Sequence, residues 1–149
     1  MTLELQPLDL TMTEVAAALH EAAGFDEPWT ARAFADLLTM PGAAGCVVSA
    51  NAEPIGLVLW RVAADEAEIL TIGILPDRRR RGTGRHLLGA AMDAAAAGGA
   101  RRLFLEVAVD NAAAIGLYRA LGFTDRGRRT GYYRRANGAE DALILGRDI

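Results

Sequence analysis

The sequence predicts one domain of the mixed α/β (α+β) class, with a sheet of about seven strands and the element order βααβββαβαββ. Three observations carry this prediction. The 149 residues, 52% hydrophobic and 23% charged, suit one globular domain with a sizeable core. Residues 68–75 form a short run rich in Ile and Leu, which indicates a buried strand. An alanine-rich helical segment, 84–97, and another apolar run, 103–109, follow, so these two strands should lie parallel in a βαβ unit.

The N-terminal part of the chain predicts one strand followed by two helices. Residues 1–8 alternate apolar and polar side chains, as a half-buried strand does. Thr11 and Glu14 have the spacing of a capping box, which predicts a helix over 15–23. Thr30 is the expected N-cap of the second helix, because an apolar stripe at helical spacing follows it.

The remaining elements are three strands that form an antiparallel meander, a fourth helix and two closing strands. Their expected spans are 45–50, 55–62, 68–75, 112–121, 123–129 and 142–145. Asn137 and Gly138 are typical of a tight hairpin turn, so they should join the last two strands.

Composition and charge exclude several classes of protein. The net charge of −3 argues against a general nucleic-acid binder, although all 16 basic residues are arginine. No apolar run approaches the ~18 residues of a membrane span, and the first ten residues lack the pattern of a signal peptide, so we expect a cytoplasmic protein without a membrane partner. Cys46 is the single cysteine, and His20 and His86 have no partner at ligand spacing, so we expect no disulfide and no metal site.

Two glycines after the 68–75 run indicate an anion-binding loop. Gly82 and Gly84 let the backbone turn with its amides inward, and the helix that begins near Gly84 adds unpaired N–H groups and the positive end of its dipole. Phosphate suits such a site. A Walker loop would need lysine, which the chain lacks, and a dinucleotide fingerprint would need glycine where Leu87 stands.

Glu106 interrupts an otherwise apolar predicted strand. A carboxylate there costs several kcal/mol unless it meets water, a partner or a cleft. A position in a cleft would suit a general base, and an ion pair with Arg101, Arg102 or an arginine of the neighbouring strand is the structural alternative. Tyr118 and Asn111 have structural alternatives too, as a core aromatic and as a helix N-cap.

These motifs together resemble the GNAT acetyltransferases. Arg79-x-x-Gly82-x-Gly84 is similar to their R/Q-x-x-G-x-G/A pyrophosphate loop. From about Trp29 to Leu145 the chain looks more specifically like the RimI branch, the N-terminal alanine acetyltransferases that modify a small-subunit ribosomal protein. The segments that carry this likeness are Leu105-Glu106-Val107, 111–115, Leu117-Tyr118-x-x-Leu121-Gly122-Phe123, Pro28-Trp29, Tyr132-Tyr133 and 138–142.

The resemblance implies a single GNAT domain over 1–149, in which a splayed pair of parallel strands binds acetyl-CoA as the acetyl donor. The implied reaction transfers acetyl to the N-terminal α-amine of a protein, with a ribosomal protein as a candidate partner. Glu106 matches the general base, and Tyr118 matches the general acid that protonates the CoA thiolate. Cofactor contacts are implied for Ile72, Gly73, Ile74, Arg79, Arg80, Arg81, Gly82, Thr83, Gly84, Arg85 and Asn111. Substrate contacts are expected for Trp29, Tyr132, Tyr133, Glu140 and Asp141.

Three alternatives stay open at this point. The same fold could acetylate a lysine or a small-molecule amine, or the chain could be a non-catalytic acyl-CoA-binding regulatory module, against which the presence of both Glu106 and Tyr118 speaks. An RNA-binding module could use the arginines of 78–81 and 126–135, but the acidic net charge argues against it. Glu68, at the start of the predicted strand 68–75, is a second candidate for the base.

Overall fold

The computed structural model describes residues 2–135 and 138–149, and it contains one seven-stranded mixed sheet with helices on both faces. The helices are α1 Thr13–Ala22, α2 Ala31–Leu38, α3 Thr83–Ala97 and α4 Ala112–Ala120. The strands are β1 Leu3–Pro7, β2 Ala43–Ala50, β3 Glu53–Ala63, β4 Glu66–Ile74, β5 Arg102–Ala108, β6 Thr124–Arg135 and β7 Gly138–Asp148. The predicted mixed α/β class and the order βααβββαβαββ are confirmed.

The strands lie in the order β1-β2-β3-β4-β5-β7-β6. The first four form an antiparallel series, as the predicted meander requires. The predicted parallel pairing of β4 with β5 is confirmed, and it is the one parallel pair in the described part of the chain. The last strand, β7, inserts between β5 and β6, so β6 becomes the edge of the sheet.

The parallel pair β4–β5 is joined over a short stretch. Residues 66–68 of β4 pair with 102–104 of β5, whereas β4 continues to Ile74 and β5 continues to Ala108. The two strands therefore diverge beyond Glu68, and the edge of β4 that faces β5 there has no strand paired with it in the described residues. This opening, which we call the splay, connects the two faces of the sheet.

Two apolar clusters cover the two faces of the sheet. One packs α3 and α4 against residues such as Leu103 and Leu105, and we call this side the α3–α4 face. The other packs α1 and α2 against Leu57 and Leu59, with Phe34 completely buried, and we call this side the α1–α2 face. Burying a side chain of this size contributes about 1.5–3 kcal/mol, so both layers contribute to stability.

Alternation along each strand assigns the polar residues to a face. Ala67 and Ile69 of β4, and Leu105 and Val107 of β5, belong to the α3–α4 cluster. The intervening Glu68 and Glu106 therefore point to the α1–α2 face. Leu70 is the extra residue where the β3–β4 register shifts, which keeps Thr71 and Gly73 on the same face as Glu68.

The start of α1 differs from its prediction. Thr11 does not cap it, because the Asp9 carboxylate accepts hydrogen bonds from the backbone N–H and the hydroxyl of Thr11. Asp9 thereby caps a 3₁₀ turn over Leu10–Met12, and α1 begins afterwards without a side-chain cap. The capping-box prediction is wrong, since an earlier carboxylate uses the Thr11 hydroxyl. At α2 the prediction is confirmed, because the Thr30 hydroxyl accepts from Ala33 N at 3.1 Å.

The two closing strands are longer than predicted. β6 and β7 extend well beyond 123–129 and 142–145. The sequence does not indicate their full length, because β6 is rich in arginine and glycine and its two register shifts conceal the alternation of its side chains. Asn137 of the predicted turn lies outside the described residues. None of the helices that the described residues form is long and apolar enough to cross a membrane.

Candidate active site

The N-terminus of α3 forms a socket of backbone N–H groups. Gly82 precedes the helix with φ +82° and provides no side-chain cap, and Arg80 is also left-handed at φ +62°. The first amides of α3 have no intrahelical acceptor. Thr83 is 1% exposed, and its Oγ1 has no hydrogen-bond partner among the described residues. This buried, unsatisfied hydroxyl beside unpaired amides fits an anion such as phosphate.

The four arginines around this socket differ in exposure to solvent and in the contacts of their guanidinium groups. Arg80, Arg81 and Arg85 are exposed, and none of their guanidinium groups forms an ion pair within the described residues. The side chain of Arg79 is directed away from the socket. Its Nε donates to Ile74 O at 3.1 Å, and its Nη2 donates to Ala23 O at 2.6 Å, at the end of α1. The loop predicted from the motif therefore combines solvated cations with one structural arginine.

Two further residues of the predicted cofactor site shape the packing of α4. A Cβ atom at Gly84 would lie 2.9 Å from Leu117 Cδ2 and 3.3 Å from Ile74 Cδ1, so glycine permits α3 to approach α4 and β4 closely. Asn111 caps α4, because its Oδ1 accepts from Ala114 N at 3.2 Å. Its structural alternative is thus realised, and its cofactor contact stays a prediction.

A cleft of about 320 Å³ lies on the α1–α2 face at the start of the splay. Its charged lining includes Glu68, Glu106, Arg61 and Arg129. The Glu106 side chain is 16% exposed, and its Oε1 lies 3.1 Å from Nε of Arg129. Arg129 belongs to β6, two strands away, so the ion partner is neither of the two arginines considered at the start of β5. Arg102 pairs instead with Asp65 and Glu66.

Tyr132 completes this charged cluster. The guanidinium carbon of Arg129 lies 5.2 Å from the centroid of the Tyr132 ring, within cation–π distance. Burial and the negative charge of Glu106 raise the pKa of the Tyr132 hydroxyl, so it remains a hydrogen-bond donor at neutral pH. Burial, and then repulsion from Glu106, also raise the pKa of Glu68, while the charges of Arg129 and Arg61 act in the opposite direction.

Tyr118 lies on the opposite side of the sheet from this cleft. It is 6% exposed on α4, packs within the α3–α4 cluster and meets Phe123 edge-on at a centroid distance of 6.0 Å. Glu106 and Tyr118 therefore lie on opposite faces of the sheet. An extended group that passed through the splay could meet the carboxylate on one side and the phenol on the other.

The predicted substrate residues fall into two groups. Trp29 is half-buried on the α1–α2 face, where its ring stacks 5.0 Å from that of His20, and Tyr132 adjoins Glu106. Asp141 instead accepts from Arg128 Nε at 2.7 Å and from Gly131 N at 2.8 Å, and these bonds lower its pKa.

The other two predicted substrate residues are less defined. Glu140 is half-buried, and the side chain of Tyr133 lies outside the described residues. Of the five predicted substrate residues, the structure thus brings Tyr132 to the carboxylate cleft, places Trp29 on the same face, and engages the Asp141 carboxylate within the β6–β7 pair.

Residues 12–123 match the family described as "Acetyltransferase (GNAT) family". The chain belongs to the GNAT family. It is therefore an acyltransferase, and GNAT acetyltransferases use acetyl-CoA. The resemblance that the motifs indicated is confirmed.

Two relatives and one solved structure place this GNAT chain more closely, and a second solved structure shares its fold. The [ribosomal protein bS18]-alanine N-acetyltransferase of Escherichia coli K12 is 35% identical over 142 residues, covering 91% of this chain and 92% of that protein. A crystal structure of the E. coli ribosomal-protein-S18-alanine N-acetyltransferase matches with a TM-score of 0.91 at 32% identity, covering 99% and 94% of the two chains. N-alpha-acetyltransferase RimI of Mycobacterium tuberculosis is 38% identical over 127 residues, covering 83% and 77%. Arabidopsis thaliana NAA60 in complex with acetyl-CoA shares the fold, with a TM-score of 0.86 at 19% identity and 99% coverage of each chain.

The sequence alone does not predict two residues that contact predicted site residues, Arg129 beside Glu106 and His20 beside Trp29. Arg129 was considered only as part of the arginine-rich run 126–135, and its pairing with Glu106 depends on a strand order that no local pattern reveals. The lack of a ligand-spaced partner for His20 in the sequence favours a structural or surface position. His20 proves to be 1% exposed, and its Nε2 lies 3.0 Å from Thr71 Oγ1 on β4. A polar residue on the apolar side of α1 is the one sequence signal that could have indicated this contact.

Proposed function

We propose that this GNAT protein transfers acetyl from acetyl-CoA to the N-terminal α-amine of a protein. The proposal depends on the position of Glu106, a half-buried carboxylate at the splay that can be reached from the α1–α2 face. The anion socket at the start of α3 lies on the other face of the sheet. An acceptor and a donor can thus approach the same opening from different sides. Because the E. coli relative is named for the alanine of ribosomal protein bS18, an alanine N-terminus of a ribosomal protein is the first substrate to test.

Glu106 would serve as the general base. An α-amine has a reference pKa of about 7.7–8.0 against about 10.4 for lysine, so its deprotonation at neutral pH is easier by about 3.5 kcal/mol. A carboxylate is a sufficient base for such an amine, either directly or through one water molecule. Arg129 places a countercharge 3.1 Å from Glu106 Oε1, in the position that an incoming ammonium would take. Its side chain is 54% exposed, so it can turn to solvent as the acceptor binds.

Tyr118 would serve as the general acid. Acetyl-CoA supplies its acetyl group as a thioester, and transfer forms a C–N bond while the C–S bond breaks. The sulfur then needs a proton, which the Tyr118 hydroxyl can donate, since a phenol with a reference pKa of about 10 still holds its proton at neutral pH. The burial of Tyr118 in the α3–α4 cluster restricts the movement of its ring.

The remaining predicted cofactor residues suit an extended nucleotide thioester. Beyond Glu68, the β5-facing edge of β4 has no strand paired with it among the described residues, so the backbone of Ile72, Gly73 and Ile74 can pair with the amides of the pantetheine arm as with an added strand. Ile74 O would share this role with its bond from Arg79 Nε. The Thr83 hydroxyl and the first amides of α3 suit the pyrophosphate, and Arg80, Arg81 and Arg85 supply positive charge around it. Arg79 would contribute its backbone alone, because its guanidinium binds two carbonyl groups.

The experiment that tests this function compares three peptides by the release of CoA thiol. One begins with a free alanine and contains no lysine, the second is the same peptide with its α-amine blocked, and the third is blocked but contains one lysine. We expect turnover with the first peptide alone. Turnover that survives blocking only when lysine is present would move the activity to side-chain amines.

The same assay separates an enzyme from a regulatory module. Acetyl-CoA affinity measured by calorimetry without any acceptor gives the binding capacity of the socket independently. Tight binding with no turnover of any peptide would contradict the proposed function. A peptide that carries the first residues of the host's ribosomal protein S18 then tests whether the named substrate of the relative is also a substrate of this chain.

A further inference from the structure

The segment between α1 and α2, residues 23–30, lies directly on the strand and loop predicted to bind acetyl-CoA. We call it the α1–α2 loop. Arg79 makes the first of its attachments. Its two donors hold Ala23 O and Ile74 O at 2.6 and 3.1 Å, so one guanidinium joins the end of α1 to the end of β4. This arginine is part of the loop that leads into α3, and its position therefore links the α1–α2 loop to the anion socket.

His20 makes the second attachment. Its Nδ1 lies 3.0 Å from Trp29 N, and a backbone N–H can only donate, so Nδ1 is the acceptor and Nε2 carries the proton. Nε2 then donates to Thr71 Oγ1 at 3.0 Å on β4. The pKa of His20 is lowered to about 4 by burial, so the ring stays neutral and keeps this tautomer at physiological pH. One buried ring therefore ties both Trp29 and β4 to α1.

Phe25 makes the third attachment, through packing. Its ring stacks on His20 with a centroid distance of 3.8 Å and an interplanar angle of 3°. A Cβ atom at Gly73 would lie 2.9 Å from Phe25 Cε2 and 3.2 Å from Ala23 Cβ. The absence of a side chain at Gly73 thus lets the α1–α2 loop rest on the backbone of β4, beside the segment predicted to hold the thioester.

We propose that Arg79 and His20 are positioning residues for the acceptor, which tie the α1–α2 loop to the cofactor strand and to the loop before α3. This inference rests on the proposed function, because it takes the α1–α2 face as the side from which the acceptor enters. It assigns the Arg79 side chain to acceptor binding, although the motif places the residue in the pyrophosphate loop. Binding of an anion in the socket should therefore restrict the motion of Arg79 and, through Ala23 O, the motion of the α1–α2 loop that the acceptor contacts.

The decisive comparison is Arg79→Met against Arg81→Met. Each substitution removes one positive charge from the same loop and keeps an unbranched stem, but only Arg79 holds the α1–α2 loop. Arg79→Met removes a hydrogen bond from a charged donor to the α1–α2 loop, and the loss of such a bond is large enough to weaken acceptor binding measurably. We therefore expect this variant to raise the acceptor KM by about tenfold, with little change in the acetyl-CoA Kd. Arg81→Met should raise the acetyl-CoA Kd by up to about fivefold and leave the acceptor KM nearly unchanged. Equal effects of the two variants on the acetyl-CoA Kd, without a change in the acceptor KM, would overturn the proposal.

Thr71 provides the matched test for His20. Thr71→Val keeps the shape and removes the hydroxyl that His20 contacts, whereas Thr71→Ser keeps the hydroxyl. We expect Thr71→Val to raise the acceptor KM severalfold with kcat nearly kept at saturating acceptor, and Thr71→Ser to restore the KM. A loss confined to kcat in both variants would indicate general damage to the core and contradict a positioning role.

A measurement without turnover keeps this inference separate from the proposed function. Hydrogen exchange of residues 23–30, recorded with and without CoA, reports the loop directly. CoA should slow the exchange in the wild type and in Arg81→Met at saturation, but not in Arg79→Met. If CoA slows the exchange in this pattern and no peptide is acetylated, the proposed acceptor is wrong while the link stands. If CoA does not change the exchange rate of residues 23–30 in the wild type, the proposed link between the socket and the α1–α2 loop is refuted, even if N-terminal acetylation is found.

Discussion

The two faces of the sheet achieve recognition by different means. On the α3–α4 face, the socket consists of helix amides, a glycine with φ +82° and one buried hydroxyl, set against an apolar core. On the α1–α2 face, the cleft consists of charged side chains, with the Glu106–Arg129 pair at its centre. Backbone groups are the same for any sequence that folds this way, whereas side-chain pairs change with each substitution. The binding of acetyl-CoA at the socket should therefore tolerate changes of single side chains, whereas binding of the acceptor at the cleft should not.

The carboxylates of the acceptor face provide the strongest test of this comparison. Glu106→Gln keeps the shape of the side chain and removes its basicity, so we expect kcat to fall by about 10²–10⁴-fold, the range of general acid–base catalysis. Glu68→Gln alters a neighbouring carboxylate on the same face and should lower kcat by less than about tenfold. The acetyl-CoA Kd should hold in both variants. A larger loss of kcat in Glu68→Gln than in Glu106→Gln would make Glu68 the base.

Tyr118 and Tyr132 lie on different faces of the sheet, so substitutions of these two residues allow the faces to be compared directly. Tyr118→Phe keeps the packing against Phe123 and removes the proposed acid, so we expect kcat to fall by about 10²-fold. Tyr132→Phe, on the other face, should mainly raise the acceptor KM, because its hydroxyl belongs to the Glu106 cluster. Steady-state kinetics with both substrates varied separates these patterns. Identical kinetic changes in the two variants would remove the distinction between the faces.

The two faces also differ in how much of each site can be predicted from the sequence alone. The donor side follows from local patterns, because the 68–75 run, Gly82, Gly84 and the helix that follows are consecutive in the chain. The motif predicts the path of the backbone, and the structure agrees with it. The motif does not fix where a long side chain turns, and Arg79 turns to Ala23 O, because that carbonyl at the end of α1 lies within its reach.

The acceptor side depends on contacts between distant parts of the chain. Glu106 stands out in an apolar strand, but its partner Arg129 lies two strands away in a sheet whose β7 inserts between β5 and β6. Strand order of this kind is decided by tertiary packing and leaves no periodic signal in β6, where register shifts conceal the alternation. The carboxylate was therefore predictable, and the cation beside it was not.

The two histidines, one buried on the α1–α2 face and one exposed on α3, extend the comparison to stability. Because burial lowers the pKa of His20 from 6.5 to about 4, its protonation costs about 3 kcal/mol more in the folded protein than in the unfolded chain. The stability that its neutral form contributes is complete above pH 6.5 and is lost as the pH falls through 6.5 towards 4. Denaturant titrations over this range should show a smaller loss of unfolding free energy in His20→Gln than in the wild type. His86→Gln serves as the control, and a slope altered equally by both substitutions would contradict the assignment.

The smallest expected effect tests whether the donor socket is made by backbone conformation. Gly82 and Gly89 lie at the start and in the interior of α3, and a Cβ atom at either would meet nothing within 4 Å, but only Gly82 has a positive φ. Gly82→Ala should therefore cost about 1 kcal/mol of unfolding free energy through strain, while Gly89→Ala should gain about 0.5–1 kcal/mol through helix propensity. Although Gly82→Ala removes no side chain, it should also weaken acetyl-CoA binding, because the amides it reorients are the proposed ligands. Chemical denaturation and acetyl-CoA titration of the pair measure both effects. If Gly82→Ala lowered stability but left the acetyl-CoA affinity intact, the side chains around the socket, and not its backbone, would have to bind the phosphates.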